Sequence, residues 1–119
     1  MEIKNFIWRD RRRPFLGLPL SFTVYTLLED KLLIDSGLFS TVQEEIKLYR
    51  IIDLTLSRSF VQRIFGLGTI HIASADKTAS EIDIKDIRNS FEVKEKLSKM
   101  VEEERQKKRV MGSEFFTSK

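Results

Sequence analysis

The residue types that carry most enzyme chemistry are scarce in this chain. Its 119 residues include no cysteine and a single histidine, which excludes thiolate nucleophiles, cysteine-ligated zinc, iron–sulfur clusters and a disulfide framework. His71 alternates outward between Ile70 and Ile72, with no second imidazole to complete a metal set, and reads as a surface or edge histidine. Gly66-Leu67-Gly68 invites a phosphate-loop reading. It precedes a strand, however, and lacks a third glycine, a following helix and a Lys-Ser/Thr pair, so turn geometry accounts for it. Glu44 and Glu45 are neighbours in a strand pattern and face opposite sides, which prevents them from working as a carboxylate pair. Asp53, near Arg50 and Arg58, reads as a structural ion pair. No nucleophile, base and orienting group fall into one constellation, so the expectation is a protein that is not an enzyme, with no cofactor, metal or small-molecule substrate.

One local cluster has interaction character: Trp8, Arg9, Arg11, Arg12, Arg13 and Phe15. Guanidinium groups flanked by aromatics suit phosphates, acidic peptides or an anionic bilayer surface. Asp10 dilutes the cluster, and the plainer reading is an N-terminal arm packed by Trp8 and Phe15 with its arginines solvated. Lys plus Arg number 21 against 18 Asp plus Glu, a formal +3, and no basic stripe follows a strand face or helix to track a nucleic-acid backbone. The charge-rich segment Glu102 to Arg109 reads as a solvated helix end. No apolar run sits behind an N-terminal charge, as secretion would require. The longest uncharged stretch, Pro14 to Leu28, is shorter than the roughly 20 residues of a membrane helix and holds two prolines. A cytoplasmic protein, membrane-peripheral at most, is expected.

The elements that would position these groups are mostly strands. Leu16, Leu18, Leu20, Phe22, Val24, Thr26 and Leu28 alternate with more polar residues and predict one long half-buried strand, either starting after Pro19 or entered through an extended Pro14 to Pro19 arm. Glu29-Asp30 is a tight turn, Leu32 and Ile34 line one side of the returning strand, and Ser36-Gly37 ends it. Val42, Ile46 and Leu48 point inward in the next strand, with Glu44 as the one charge on that side, marking a bulge or a sheet end. Tyr49-Arg50 connects to a fourth strand with Ile52, Leu54 and Leu56 inward. Phe60, Ile64 and Phe65 then predict one helical turn, closed by Gly66, that plugs an edge of the core. Ile70 and Ile72, a polar turn at Ala75-Asp76-Lys77-Thr78, and Ile82 and Ile84 make a second hairpin.

Helix is reserved for the end. Asn89 and Glu92 mark a capped start near Ser90, and Val93, Leu97, Met100 and Val101 share a stripe that omits Phe91. Docking should cease where the stripe reaches Glu104 and Lys108. Glu92 with Lys96, Glu95 with Lys99, Glu103 with Lys107 and Glu104 with Lys108 are in the favourable i to i+4 order. The expected organisation is an arm over 1–15, one domain over 16–110 with its helix at about 90–109, and a mobile tail over 111–119 that includes Phe115 and Phe116. Short strands without long helices between them indicate an antiparallel sandwich or barrel: mainly β, plus one C-terminal α-helix.

Several segments in this order resemble the bacterial pleckstrin-homology (PH) domain family. They are Tyr25-Thr26-Leu27, Leu33-Ile34-Asp35-Ser36-Gly37-Leu38, Tyr49-Arg50-Ile51-Ile52-Asp53 and, most diagnostic, Gln62-Arg63-Ile64-Phe65-Gly66-Leu67-Gly68-Thr69-Ile70. Asn89-Ser90-Phe91-Glu92-Val93 is similar to the family's Asn-Pro-x-x-Val helix start, with Ser90 where proline is usual. The resemblance spans about Leu16 to Arg109. It implies a PH-like sandwich or partly open barrel capped by the helix. Such barrels have seven strands, whereas alternation here yields six, so one strand must come from Lys4 to Trp8, from a bend in the long first strand, or from Leu38 to Glu44. Phosphoinositide-binding PH domains set basic residues around the first hairpin loop. Here that turn is Glu29-Asp30, so the headgroup role does not carry over.

The resemblance implies a non-catalytic binding or scaffold module for a protein or peptide, including another copy of itself. An open sandwich leaves an unpaired sheet edge, and strand addition is physically available there. The alternative is peripheral attachment to an anionic membrane through Trp8, Arg9, Arg11, Arg12, Arg13 and Phe15.

Overall fold

The computed structural model describes residues 6–14, 21–75 and 80–117. Within them the chain folds as two antiparallel sheets and a long C-terminal helix. The first sheet has the order β1 (Trp8–Arg11), β2 (Val24–Leu27), β3 (Lys31–Ser36), β4 (Val42–Lys47). A 3-10 turn, Leu48–Arg50, carries the chain into the second sheet, β5 (Ile51–Ser57), β6 (Leu67–Ser74), β7 (Glu81–Arg88). A short helix, α1 (Phe60–Ile64), joins β5 to β6, and α2 (Ser90–Thr117) follows β7. The sheets do not close into a barrel, and the mainly β, PH-like sandwich capped by one helix is as the sequence implies.

The extra strand is β1. It pairs with β2 from Trp8 opposite Leu27 to Arg11 opposite Val24, so the four residues Trp8–Arg11 of the expected arm are sheet. Side chains therefore alternate there: Trp8 and Asp10 are half-buried, while Arg9 and Arg11 are exposed. Leu16, Leu18, Leu20 and the Pro14 to Pro19 entry lie outside the described residues, apart from Pro14 itself.

The core is built from the inner faces of both sheets and one stripe of α2. Leu32, Ile46, Leu48, Ile70, Ile72, Ile84 and Ile87 are fully buried, with Ile51 and Leu97 nearly so. Burying each such side chain contributes about 1.5–3 kcal/mol. The sequence reading has the phase of the second strand reversed. Tyr25 and Leu27 point into the core, Val24 and Thr26 share the outer side, and Phe22, ahead of the strand, is 52% exposed. Tyr25 suits the interior because its hydroxyl accepts a hydrogen bond from the Lys85 N–H at 3.0 Å, and its burial raises the phenol pKa.

Two further alternations fail for local reasons. A register shift between Ile51 and Asp53 bulges β5, which sends Ile51 inward and leaves Ile52 61% exposed, while Leu54 and Leu56 stay half-buried. Val42 opens β4 at the end of the sheet and is exposed, with Glu44 exposed beside it. Glu44 marks no bulge: it stays in the ladder opposite Ile34, between the pairs of Gln43 with Asp35 and Glu45 with Leu33.

α1 forms where expected, but it does not plug the core. Ser59 caps it in a reciprocal capping box with Gln62, and Gly66 leaves it at φ +71°. Phe60, Val61 and Ile64 all face solvent.

α2 starts at Ser90, as the sequence indicates, behind Asn89 at φ +52°. Asparagine tolerates that left-handed conformation. Val93, Leu97 and Val101 are buried and Met100 packs beside them. Docking continues one turn further than the sequence suggests, because Glu104 is also buried. Its carboxylate pairs with Lys107 at 3.2 Å, one residue short of the expected Lys108. Lys108 instead lies over the Tyr49 ring at 5.0 Å. The Glu104 hydrogen bond raises the Lys107 pKa. The helical backbone then runs through Met111-Gly112-Ser113 to Thr117. A single glycine lowers helix propensity by about 1 kcal/mol without terminating a helix.

Candidate functional site

The sequence-level cluster separates when it is placed on the sheet. Arg9 lies opposite Thr26 and Arg11 opposite Val24, on the outer face of the first sheet. Trp8, from the same strand, packs against the core instead. Arg12 Nε donates to Asp86 Oδ2 at 3.0 Å. Arg13 pairs with Asp10 at 3.3 Å, and its N–H donates to the Asp86 carbonyl at 2.9 Å. Asp10 in turn accepts the Arg88 N–H at 3.3 Å. Arg12 and Arg13 therefore stitch the end of β1 to β7, and the basic group divides between an outer face and this seam. Phe15 lies outside the described residues.

His71 sits on the outer face of the second sheet, facing Asp83 across the ladder. Its Nδ1 lies 2.5 Å from Asp83 Oδ1, and its Nε2 lies 3.6 Å from Glu81. The Asp83 hydrogen bond is the main reason its pKa is raised above the usual value near 6.5, with the Glu81 charge adding to it. The group is an ion-pair clasp across β6 and β7. Among the described residues no three His, Cys, Asp or Glu side chains converge on a metal position.

The edges of the sheets differ in what covers them. Two sheets present four edge strands, β1, β4, β5 and β7. The β1 and β7 edges are tied by the Arg12, Arg13 and Asp86 contacts. The β4 edge carries Glu44 on its inner side, and Glu45 lies within 3.4 Å of both Lys31 and Lys47. Adjacent charges along this edge discourage another strand from pairing there.

The β5 edge is different. Its sequence from Ile51 to Ser57 contains Asp53 as its one ionisable residue, and α2 runs beside it. Between them lies a groove of about 350 Å³, lined by Ile52, Asp53, Leu54, Ser98, Glu102 and Arg105 among others, with Val101 and Ile51 from the core. The bulge that turns Ile51 inward is what places Ile52 on the rim.

Side chains already occupy part of this edge. The Arg105 guanidinium donates to the Ile51 carbonyl, and the Asp53 carboxylate accepts the Leu54 N–H at 2.9 Å. These are the polarities a neighbouring strand would supply: a donor to a strand carbonyl and an acceptor for a strand N–H. The groove unites residues 51–54 with others from 94 to 105, and sequence reasoning did not pair them. The adjacent apolar pair Ile51-Ile52, which breaks strict alternation, is the signal that could have pointed to the bulge.

A family model described as the bacterial PH domain matches residues 15–101. No curated protein and no solved structure matches the chain. Among the described residues no helix is long and apolar enough to cross a membrane.

Proposed function

Since the chain belongs to the bacterial PH domain family, we propose that it works as a non-catalytic binding module that accepts an extended segment of a protein or peptide along β5. The observation that carries this reading is the groove of about 350 Å³ between the β5 edge and α2. An added strand would hydrogen-bond to the β5 backbone, while its alternate side chains meet Ile52, Leu54 and the Ser98 to Arg105 face of α2. Main-chain bonding supplies affinity, and the mixed charges of Asp53, Glu102 and Arg105 select among sequences. The entering segment would replace the Arg105 and Asp53 contacts with its own backbone groups, so the exchange exposes no unpaired edge group. The strand can come from a second copy of the chain, which keeps self-assembly within the same reading.

The N-terminal arginines support attachment to a membrane less well. Two of the four are committed to Asp86 and Asp10, and the others face away from that seam.

Selection from a phage-displayed library of random linear peptides tests the proposal. Peptides recovered on the full chain should lose about tenfold or more in affinity for Ser98→Arg, which fills the groove from an exposed position. Recovery of no binder, or equal binding to the variant, would contradict it.

A further inference from the structure

α1 is an amphipathic turn facing the opposite way from most. At about 100° per residue, Phe60, Ile64 and Val61 fall within an arc of roughly 100°, Gln62 lies near the opposite side, and Arg63 flanks Phe60. Burial normally places the apolar arc against the core. Here the polar side is held there, leaving Phe60 77%, Val61 61% and Ile64 62% exposed.

The cause is Gln62. Its Nε2 donates to Thr69 Oγ1 and to Asp86 Oδ1, both at 2.8 Å. Its Oε1 accepts the Ser59 N–H at 2.9 Å, and its own N–H donates to Ser59 Oγ at 3.1 Å. Asp86 reaches this position from φ +54°, at the irregularity where the β6–β7 register shifts. With its underside bonded in this way, the turn cannot roll its apolar residues inward without breaking several hydrogen bonds.

The surrounding charge indicates what covers the exposed arc. From Thr55 to Ala75 the chain has no aspartate or glutamate, and it places Arg58 and Arg63 at the two ends of the turn. Both arginines are exposed, and Arg58 is held by its Nε bond to the Leu67 carbonyl at 2.8 Å. Among the described residues, the one carboxylate bonded to α1, that of Asp86, is neutralised by Arg12. An exposed apolar turn flanked by cations, with no carboxylate on its own segment from Thr55 to Ala75, is complementary to a surface that is anionic outside and apolar beneath.

We propose that α1 is a contact for an anionic bilayer. Phe60, Val61 and Ile64 enter the boundary between headgroups and acyl chains, while Arg58 and Arg63 lie among the lipid phosphates. The site shares no residue with the β5–α2 groove, so it stands or falls independently of peptide binding. Three side chains and two cations make a weak, reversible contact that depends on salt.

Cosedimentation of the full chain with vesicles tests this. Vesicles of three parts phosphatidylcholine to one part phosphatidylglycerol should retain the protein at low salt, and pure phosphatidylcholine should retain much less. The pair Phe60→Ser and Ile64→Ser should weaken retention about tenfold or more, and Arg63→Glu should weaken it by a comparable factor. Phe91→Ser, which removes an exposed apolar residue of α2, should leave it unchanged. Circular dichroism and thermal midpoints matching wild type establish that the variants are folded. Failure of wild type to bind at low salt would overturn the proposal. So would undiminished binding by the folded double variant, or loss of self-association by that variant in sedimentation without loss of vesicle binding, which would make α1 a protein contact.

Discussion

At the scale of single residues, His71 offers the cleanest test, because the chain contains no other histidine to overlap its resonance. The Asp83 hydrogen bond and the Glu81 charge raise its folded pKa above the ordinary value near 6.5. The stabilisation from this clasp is therefore fully present below the unfolded value and is lost as pH rises through the folded one. An NMR titration of the imidazole should give a midpoint above 6.5, and Asp83→Asn should lower it; a wild-type midpoint at or below 6.5 would refute the clasp. The outward placement of His71 was legible from alternation alone. Its partners were not, because Asp83 comes opposite it only through the register of the β6–β7 hairpin. The same limit explains the arginine cluster. Adjacent residues of a strand point to opposite faces, so proximity in sequence does not make Arg9, Arg11, Arg12 and Arg13 one patch.

At the scale of elements, the β3 strand, the Glu29-Asp30 turn and the apolar stripe of α2 were readable, because each follows from a simple period or a turn signal. Three features were not. The bulge in β5 shifts the phase by one residue, Tyr25 satisfies its hydroxyl inside the core, and Gln62 turns α1 over. Each depends on partners distant in sequence. The junction of α2 with the second sheet gives a sharp prediction. Gly68 packs so closely under Ser90 that a Cβ added there would lie 2.8 Å from Ser90 Cβ. Gly68→Ala should destabilise the fold by about 1–3 kcal/mol in urea unfolding, since Ser90 is itself buried at the start of the helix. An unchanged midpoint would mean that the helix start is not clamped against β6 at this point.

At the scale of the whole molecule, the edges of the sandwich differ because of how the chain closes it. β1 is stitched to β7, β4 is charged, and β5 lies beside a helix packed through Val101 and Glu104. That an open sandwich would leave sheet edges was legible from the family pattern. How those edges differ was not, because that depends on how α2 lies across the second sheet. The most direct measurement is an isotope-filtered NMR experiment on the full chain bound to a library-selected peptide. It should yield cross-strand contacts between the peptide backbone and Leu54, Thr55 and Leu56, together with side-chain contacts to Ser98 and Glu102. Peptide contacts confined to β4, or to the connections between strands, would contradict the account.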